Sequence, residues 1–336
     1  RFGLPFWQLA ATASDANRFV LRWARAITGR DIILVFNGCY HGTVDDTLVD
    51  LVQEGRQRAT RMRASLLGQV QDLTRTTRVV EFNDIDALRD ALADRRVACV
   101  LTEPVLTNIG MVLPAPGFLD AVQQTARDAG SLFILDETHT ISCGPGGYAR
   151  EHGLAPDILV LGKPIAGGTP AAVYGFTAEV AARMAQAKAD APPGHSGIGT
   201  TLTAGLLTMR LMHAMLTEAM TPAAHAHMTA LAKRIAAGLR GVIDRHALPW
   251  SVTQIGARCE YQFCATPPRN GSEAEAAMRP ALESALHLAL LNRGILLTPF
   301  HNMVLVSPEH GAEDVARLIA AFDAVLECLL ATGAPD

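Results

Sequence analysis

No two of the six cysteines (Cys39, Cys99, Cys143, Cys259, Cys264, Cys328) stand in a CxxC pair, and they are too scattered to read as a disulfide framework. That spacing fits reduced thiols in a cytoplasmic compartment and gives no support for a zinc site. Excess basic charge is lacking too: the net charge is −4 and the pI about 6.3, so no overall basic field draws nucleic acid or an anionic membrane surface. No apolar run is long enough to span a bilayer, and no signal-peptide pattern is read within these residues. The chain opens on Arg1 in what reads as the middle of a phrase, so a further N-terminal segment is expected ahead of it, carrying any targeting signal. No strand-like run is followed by G-x-G-x-x-G, and the glycines near Lys163 come behind that lysine, unlike a P-loop. A dinucleotide-dependent dehydrogenase is disfavoured on that ground.

What is present suits an ordinary globular protein. At 336 residues, 49% apolar and 18% charged, the chain can bury one large core and a smaller one. Short apolar runs (Ile32 to Phe36, Val97 to Thr102, Ser131 to Leu135, Ile158 to Leu161, Ala172 to Phe176) alternate with helix-like ones (Ala13 to Thr28, Asp84 to Asp94, Gly117 to Ala129). This order predicts an α/β fold with a mostly parallel central sheet and helices on both faces. The stretch from Gln186 to Thr201 reads as a Pro/Gly-rich loop, followed by helices over Ala204 to Thr217 and Ala223 to His246. Ser272 and Glu275 have capping-box spacing ahead of a helix reaching about Asn292. Strands are expected over Glu260 to Cys264, Ile295 to Thr298 and Met303 to Val306. The expected division is a large domain over 1–246 and a small α+β domain over 247–336.

The chemistry starts from "FILDETHTIS" (Phe133 to Ser142), an apolar strand ending in two acids. The carboxylates of Asp136 and Glu137 are expected at the strand's carboxyl end, where open α/β sheets hold ligands. Asp136 alone reads better as the cap of a turn or helix. "PDILVLGKPIAGG" places Lys163 after the next strand, with Pro164 expected to end any helical continuation. A desolvated lysine there is a Schiff-base candidate; alone, it reads better as a solvated surface lysine. The pairing of that lysine with a strand-end carboxylate suits pyridoxal phosphate, whose electron sink needs a protonated pyridine nitrogen. Thr12 and Ser14 at a helix start offer a phosphate cradle, though such clusters are commonly plain caps. Tyr40 in "FNGCYHGTVDD" could stack on a pyridine ring, and His41 beside it could equally be structural.

The series T-A-S-D-A-N (Thr12 to Asn17), Y-H-G (Tyr40 to Gly42), E-P-V-x-x-N-x-G (Glu103 to Gly110), L-D-E (Leu135 to Glu137), L-G-K-P-I-A-G-G (Leu161 to Gly168) and G-T-x-L-T (Gly199 to Thr203) resembles class III aminotransferases, in particular their glutamate-1-semialdehyde aminomutase-like branch. The resemblance implies pyridoxal-phosphate fold type I, with Lys163 forming the Schiff base and moving a proton, and Asp136 pairing with the pyridinium. It further implies phosphate donors at Ala13 and Ser14, ring stacking by Tyr40, Asn108 near the ring hydroxyl, and a supporting role for Glu103. Thr201 is implied to reach the neighbouring subunit's cofactor in a homodimer.

Two departures stand out. Thr138 replaces the apolar β-branched residue that usually packs on the ring's other face, with His139 behind it, and its methyl is expected to keep that contact. Met303 stands where the aminomutase branch has a loop glutamate. That loss favours ping-pong transamination between an amino donor and a keto or aldehyde acceptor over intramolecular transfer by an aminomutase, while the retained Lys163 and Asp136 argue against a non-catalytic cofactor-binding module. His139 and His301 are candidates for the substrate entrance. In this family the N-terminal segment contributes to the substrate pocket and the small domain, so any carboxylate-binding arginine could lie there, outside these residues.

Overall fold

Thr12 is the hinge on which the first two elements turn. It stands two residues beyond strand β1 (Phe6–Ala10) with an extended, non-helical backbone, and its hydroxyl accepts from the Asp15 N–H at 3.1 Å to start helix α1 (Ala13–Thr28). Gly29, at φ 66°, closes α1 in the left-handed conformation that favours glycine. The computed structural model describes residues 1–54, 57–298 and 301–331. Residues 332–336, at the end of the expected C-terminal domain, lie outside the described residues.

Strand β2 (Ile32–Phe36), the hairpin β3 (Val49–Glu54) and β4 (Gln57–Met62), and strand β5 (Thr77–Val80) come next. Then α2 (Ile85–Leu92), β6 (Val97–Thr102), α3 (Phe118–Ala129), β7 (Leu132–Asp136), α4 (Gly147–Glu151), β8 (Ile158–Leu161), β9 (Ala172–Phe176) and α5 (Ala178–Asp190) complete the alternation. Among the described residues, seven strands form the main sheet in the order β1-β9-β8-β7-β6-β2-β5. The five from β8 to β5 are parallel, and β9 runs antiparallel to both β8 and β1. Strands β2, β6, β7 and β8 are buried on both faces, which is why they read as unbroken apolar runs rather than alternating ones.

A second core lies against a three-stranded antiparallel sheet. Helices α6 (Leu206–Ala214) and α7 (Pro222–Arg245) lead to β10 (Ser251–Ile255) and β11 (Arg258–Gln262). Helices α8 (Gly271–Ala277) and α9 (Pro280–Leu291), strand β12 (Met303–Leu305) and helix α10 (Ala312–Ala331) follow. Leu239 of α7, Leu290 of α9 and Phe322 of α10 bury their side chains there with Tyr261 of β11. Emptying one such site, as in Phe322→Ala, would cost about 3–5 kcal/mol.

Several expectations need correction. The strand around Asp136 is shifted by one residue, so Asp136 is its last member. Helix α5 continues through Gln186–Asp190, because alanine-rich sequence sustains it until Pro192 and Pro193. Asn270, rather than Ser272, caps the next helix, accepting from Glu273 N at 2.9 Å. Pro280 then divides what was read as one helix, holding Arg279 out of the helical conformation. Ile295 to Thr298 forms no strand. Pro164 lies inside a 3₁₀ turn (Lys163–Ala166) instead of ending a helical continuation, since proline is tolerated in a first turn.

Candidate active site

The carboxyl ends of β7 and β8 open on a cavity of about 490 Å³. Ala13, Ser14, Tyr40, His41, Glu103, Asp136, Thr138 and Lys163 line it together, although they come from five separate parts of the chain. Asp136 pairs in register with Val160, and Lys163 stands three residues beyond that partner. Lys163 itself has φ 49°, a conformation uncommon outside glycine, and lines the cavity. Gly162 before it allows close approach: a Cβ there would lie 3.0 Å from Ala13 Cβ and 3.4 Å from Thr138 Cγ2.

Four donors converge on the buried Asp136. Its Oδ2 accepts from Asn17 Nδ2 at 2.7 Å and faces His41 Nδ1 at 2.9 Å. Its Oδ1 accepts from Thr138 N at 3.0 Å and Thr138 Oγ1 at 2.6 Å. Burial alone would raise the Asp136 pKa, but the hydrogen bond and charge of His41, with Thr138 and Asn17, outweigh it and hold the carboxyl at about 2. Burial likewise disfavours the imidazolium of His41, and Cys39 and Asp136 beside it reverse that, raising the pKa to about 10. Lys163 is open to the cavity, yet its walls strip enough water to lower the amine's pKa; Asp136 and Glu103 oppose this and Arg258 adds to it.

Glu137 takes no part in the cavity, contrary to the expectation that both acids emerge there. Its side chain is fully buried and accepts from Ala149 N at 2.8 Å, from Tyr148 N, and from Thr140 Oγ1 at 3.2 Å. Burial pushes its pKa up to about 7 against those hydrogen bonds. It is the anchor of α4.

The loop after β2 is sewn to the start of α1. Thr43 N donates to Ser14 Oγ at 3.1 Å, Asn17 Nδ2 donates to His41 O at 3.1 Å, and Tyr40 N donates to Glu103 Oε1 at 3.2 Å. Gly42, at φ 82°, is required: a Cβ would fall 2.0 Å from Ser14 Oγ. The first-turn N–H groups of Ala13 and Ser14 have no acceptor within the helix, and both residues line the cavity, where the helix dipole favours an anion. His41 Nε2 and Asn17 Oδ1 are buried without a partner. An anion-accepting helix start, a strongly acidic carboxyl and a lysine of lowered pKa around one cavity fit a phosphorylated pyridine aldehyde.

Other candidates lie apart. Asn108 does not line the cavity; its amide donates to Thr107 Oγ1 at 3.4 Å, and that hydroxyl donates in turn to Glu103. Thr201 is exposed and does not line the cavity either. His139 does line it, whereas His301 stands 2.9 Å from Glu260 Oε1 in a smaller neighbouring recess. Sequence reasoning assigned no role to Asn17, whose place on the inward face of α1 was readable from helical spacing, or to Arg258, whose burial has no local signal.

The family model of class-III aminotransferases matches residues 7–326. A glutamate-1-semialdehyde 2,1-aminomutase of Thermomicrobium roseum is 35% identical over 314 residues, covering 92% of this chain and 71% of the relative. A crystal structure of a glutamate-1-semialdehyde-aminomutase from Pseudomonas aeruginosa PAO1, in complex with PMP, matches with a TM-score of 0.92 and 48% identity, over 97% of this chain and 72% of that one. An omega-transaminase from Sphaerobacter thermophilus matches with a TM-score of 0.85 and 27% identity, over 96% and 74%. The expected family and fold type are thereby borne out: this chain belongs to the class III aminotransferases.

Proposed function

We propose that the chain moves an amino group between carbon centres of small molecules, with pyridoxal 5'-phosphate as its cofactor. When bound, that cofactor supplies a ring that withdraws the electron pair left as a carbon loses its proton. The observation that carries this reading is the meeting of Lys163 and Asp136 at neighbouring strand ends of one cavity. Lys163 would hold the cofactor through its amine and, once released, carry the proton at the substrate's amine-bearing carbon on Nζ; its lowered pKa favours the neutral base. Asp136, kept anionic by His41, Thr138 and Asn17, would hold the pyridine nitrogen protonated.

The other roles follow from position. Ala13 and Ser14 would take the phosphate, Tyr40 and the Thr138 methyl would cover the two ring faces, and Glu103 and His41 would brace the site from behind. Asn108 would reach the ring hydroxyl only by leaving Thr107. We further propose a homodimer in which Thr201 serves the partner's cofactor. The neighbouring Leu202 and Leu206, 85% and 89% exposed, support an interface there. Residues 1–246 would hold the cofactor and 247–336 would close over the substrate. Among the described residues no helix is long and apolar enough to cross a membrane, and the negative net charge gives no attraction for nucleic acid. The scattered cysteines, which suit reduced thiols, support a proposed place in the cytoplasm.

Whether the transfer is internal to one molecule or between two is a finer matter. The relatives' names support internal transfer, as in an aminomutase, better than the ping-pong transamination first expected from the sequence. One point favours the ping-pong reading: the resemblance puts Met303, which is buried beside Arg258, where the aminomutase branch has a glutamate.

The experiment is a visible absorption spectrum of the protein with pyridoxal phosphate, for the wild type and Lys163→Ala, before and after an amino donor. A yellow band in the wild type that bleaches on donor addition supports amino transfer, and full turnover by Lys163→Ala would remove it. Release of a carbonyl product in the first half-reaction supports two-molecule transfer, and isomerisation of an amino aldehyde without release supports internal transfer.

A further inference from the structure

Arg258, on β11, is 0% exposed, and among the described residues it has no ion pair. A guanidinium carries five N–H donors in a rigid fork and stays charged inside a protein. Here the fork meets only neutral atoms. Nη1 donates to His139 Nδ1 at 2.9 Å, Nη2 rests against the thioether of Met303, and Nε is buried with no partner. Thioether sulfur is a weak acceptor. Glu260, two residues along on the same face of the strand, is the nearest carboxylate by charge effect, yet it faces His301 at 2.9 Å and makes no ion pair with Arg258. A buried cation left in this state costs several kcal/mol unless an anion comes to it.

Its position says which anion. His139, gripped by Arg258, lines the same cavity as Lys163 and Asp136. Arg258 is also close enough to Lys163 to help depress that amine, and close enough to Glu103 to feel its charge. The phosphate position proposed above lies at the start of α1, which already supplies its own N–H donors, so the second anion site belongs to whatever Lys163 acts on.

We propose that Arg258 anchors the substrate's carboxylate, making this an enzyme for amino acids rather than simple amines. The carboxylate displaces Met303 Sδ and takes Nη2 and Nε as a two-point pair, while Nη1 stays on His139. His139 suits this duty because burial, then Arg258 and Lys163, drive its pKa down to about 2, leaving a neutral ring nitrogen that accepts. The assignment rests on the amino-transfer reading for its substrate class, but the anion site can be measured without it.

The test uses the cofactor-loaded protein and two readouts. In the first, propanoate, an unreactive carboxylate, is titrated into the wild type and Arg258→Met by calorimetry. In the second, the bleaching half-reaction is followed with alanine, β-alanine and 4-aminobutanoate, and with ethylamine and propylamine, which lack the carboxylate. The expected result is a retained yellow band, lost propanoate binding, and kcat/KM down by about 100-fold or more for the best amino acid but within about 3-fold for the amines. Arg258→Lys, which keeps the charge without the fork, is expected to fall between them and serves if the methionine variant does not fold. Equal losses on acids and amines, or no loss, would overturn the assignment. A yellow band lost together with phosphate affinity would instead make Arg258 a cofactor anchor. A wild type that bleaches with no donor undermines amino transfer itself, whereas a wild type that binds no propanoate undermines Arg258 alone.

Discussion

His41 Nδ1 stands 2.9 Å from Asp136 Oδ2 with both side chains buried, so two ionisable groups from different strand ends hold each other charged. Asp136, depressed to about 2, adds stability that is present above its unfolded pKa near 3.8 and lost as pH falls through about 2. His41, raised to about 10, adds stability fully present below its unfolded pKa near 6.5 and lost as pH rises through about 10. The cofactor-free protein should therefore weaken between pH 6.5 and 10. His41→Ala should remove that slope and cost about 3–5 kcal/mol at pH 7, because it strands a buried carboxylate. Urea midpoints across the pH series check both; an unchanged slope in the variant would place the alkaline weakening elsewhere.

The two adjacent acids should separate cleanly by mutation. Asp136→Asn is expected to keep the cofactor yet slow the donor half-reaction by on the order of 10²–10³-fold, the rate equivalent of about 3–4 kcal/mol of charge stabilisation. Glu137→Ala is expected to lower stability by about 2–5 kcal/mol, since it leaves the N–H groups of Tyr148 and Ala149 buried and unpaired, while the half-reaction rate in the folded fraction stays within a few-fold. Stopped-flow absorbance and urea melts of the same two preparations make the comparison.

That division was only half legible in the sequence. Asp136, Lys163, Ser14 and Tyr40 announce themselves because each stands at the end of an element whose apolar run or cap is a local signal. Glu137 carries the same local signal as Asp136, and only the approach of α4 from eleven residues downstream decides which way it turns. Arg258 is the harder case. A charged residue in a half-buried strand reads as solvent-facing, and β11 was expected to begin only at Glu260. Its burial comes from the packing of β12 and the loop after β7, neither of which its own neighbours in sequence specify. The parallel sheet was legible for the opposite reason, since strands buried on both faces record their depth in their own composition.

Gly42→Ala tests whether the cavity wall tolerates any slack. The added methyl meets Ser14 Oγ at 2.0 Å, and φ 82° is costly for any residue with a Cβ, so the loop must move off α1. The expected cost is about 1–3 kcal/mol in stability, with pyridoxal phosphate affinity reduced at least about 10-fold as Ser14 shifts. A fluorescence titration with the cofactor reads the second quantity, and unchanged affinity would detach Ser14 from the phosphate position.

Met303→Glu asks what the buried thioether leaves open. A carboxylate at that position would lie beside the Arg258 guanidinium, which Met303 already contacts, and the two would form the ion pair that Arg258 lacks. If Arg258 receives the substrate's carboxylate, that internal pair competes for the same N–H groups. The KM for the best amino acid donor should then rise at least about 10-fold while turnover of propylamine stays within about 3-fold, since a pre-formed charged hydrogen-bond pair must be broken for each binding event. The resemblance to the aminomutase-like branch puts a glutamate at this position, so the variant's products bear on internal against two-molecule transfer as well. A gain in isomerisation of an amino aldehyde, with less carbonyl product released, would mean that Met303 is what turns this site toward transfer between molecules, and an unchanged product ratio would mean that the direction of transfer is set elsewhere in the cavity.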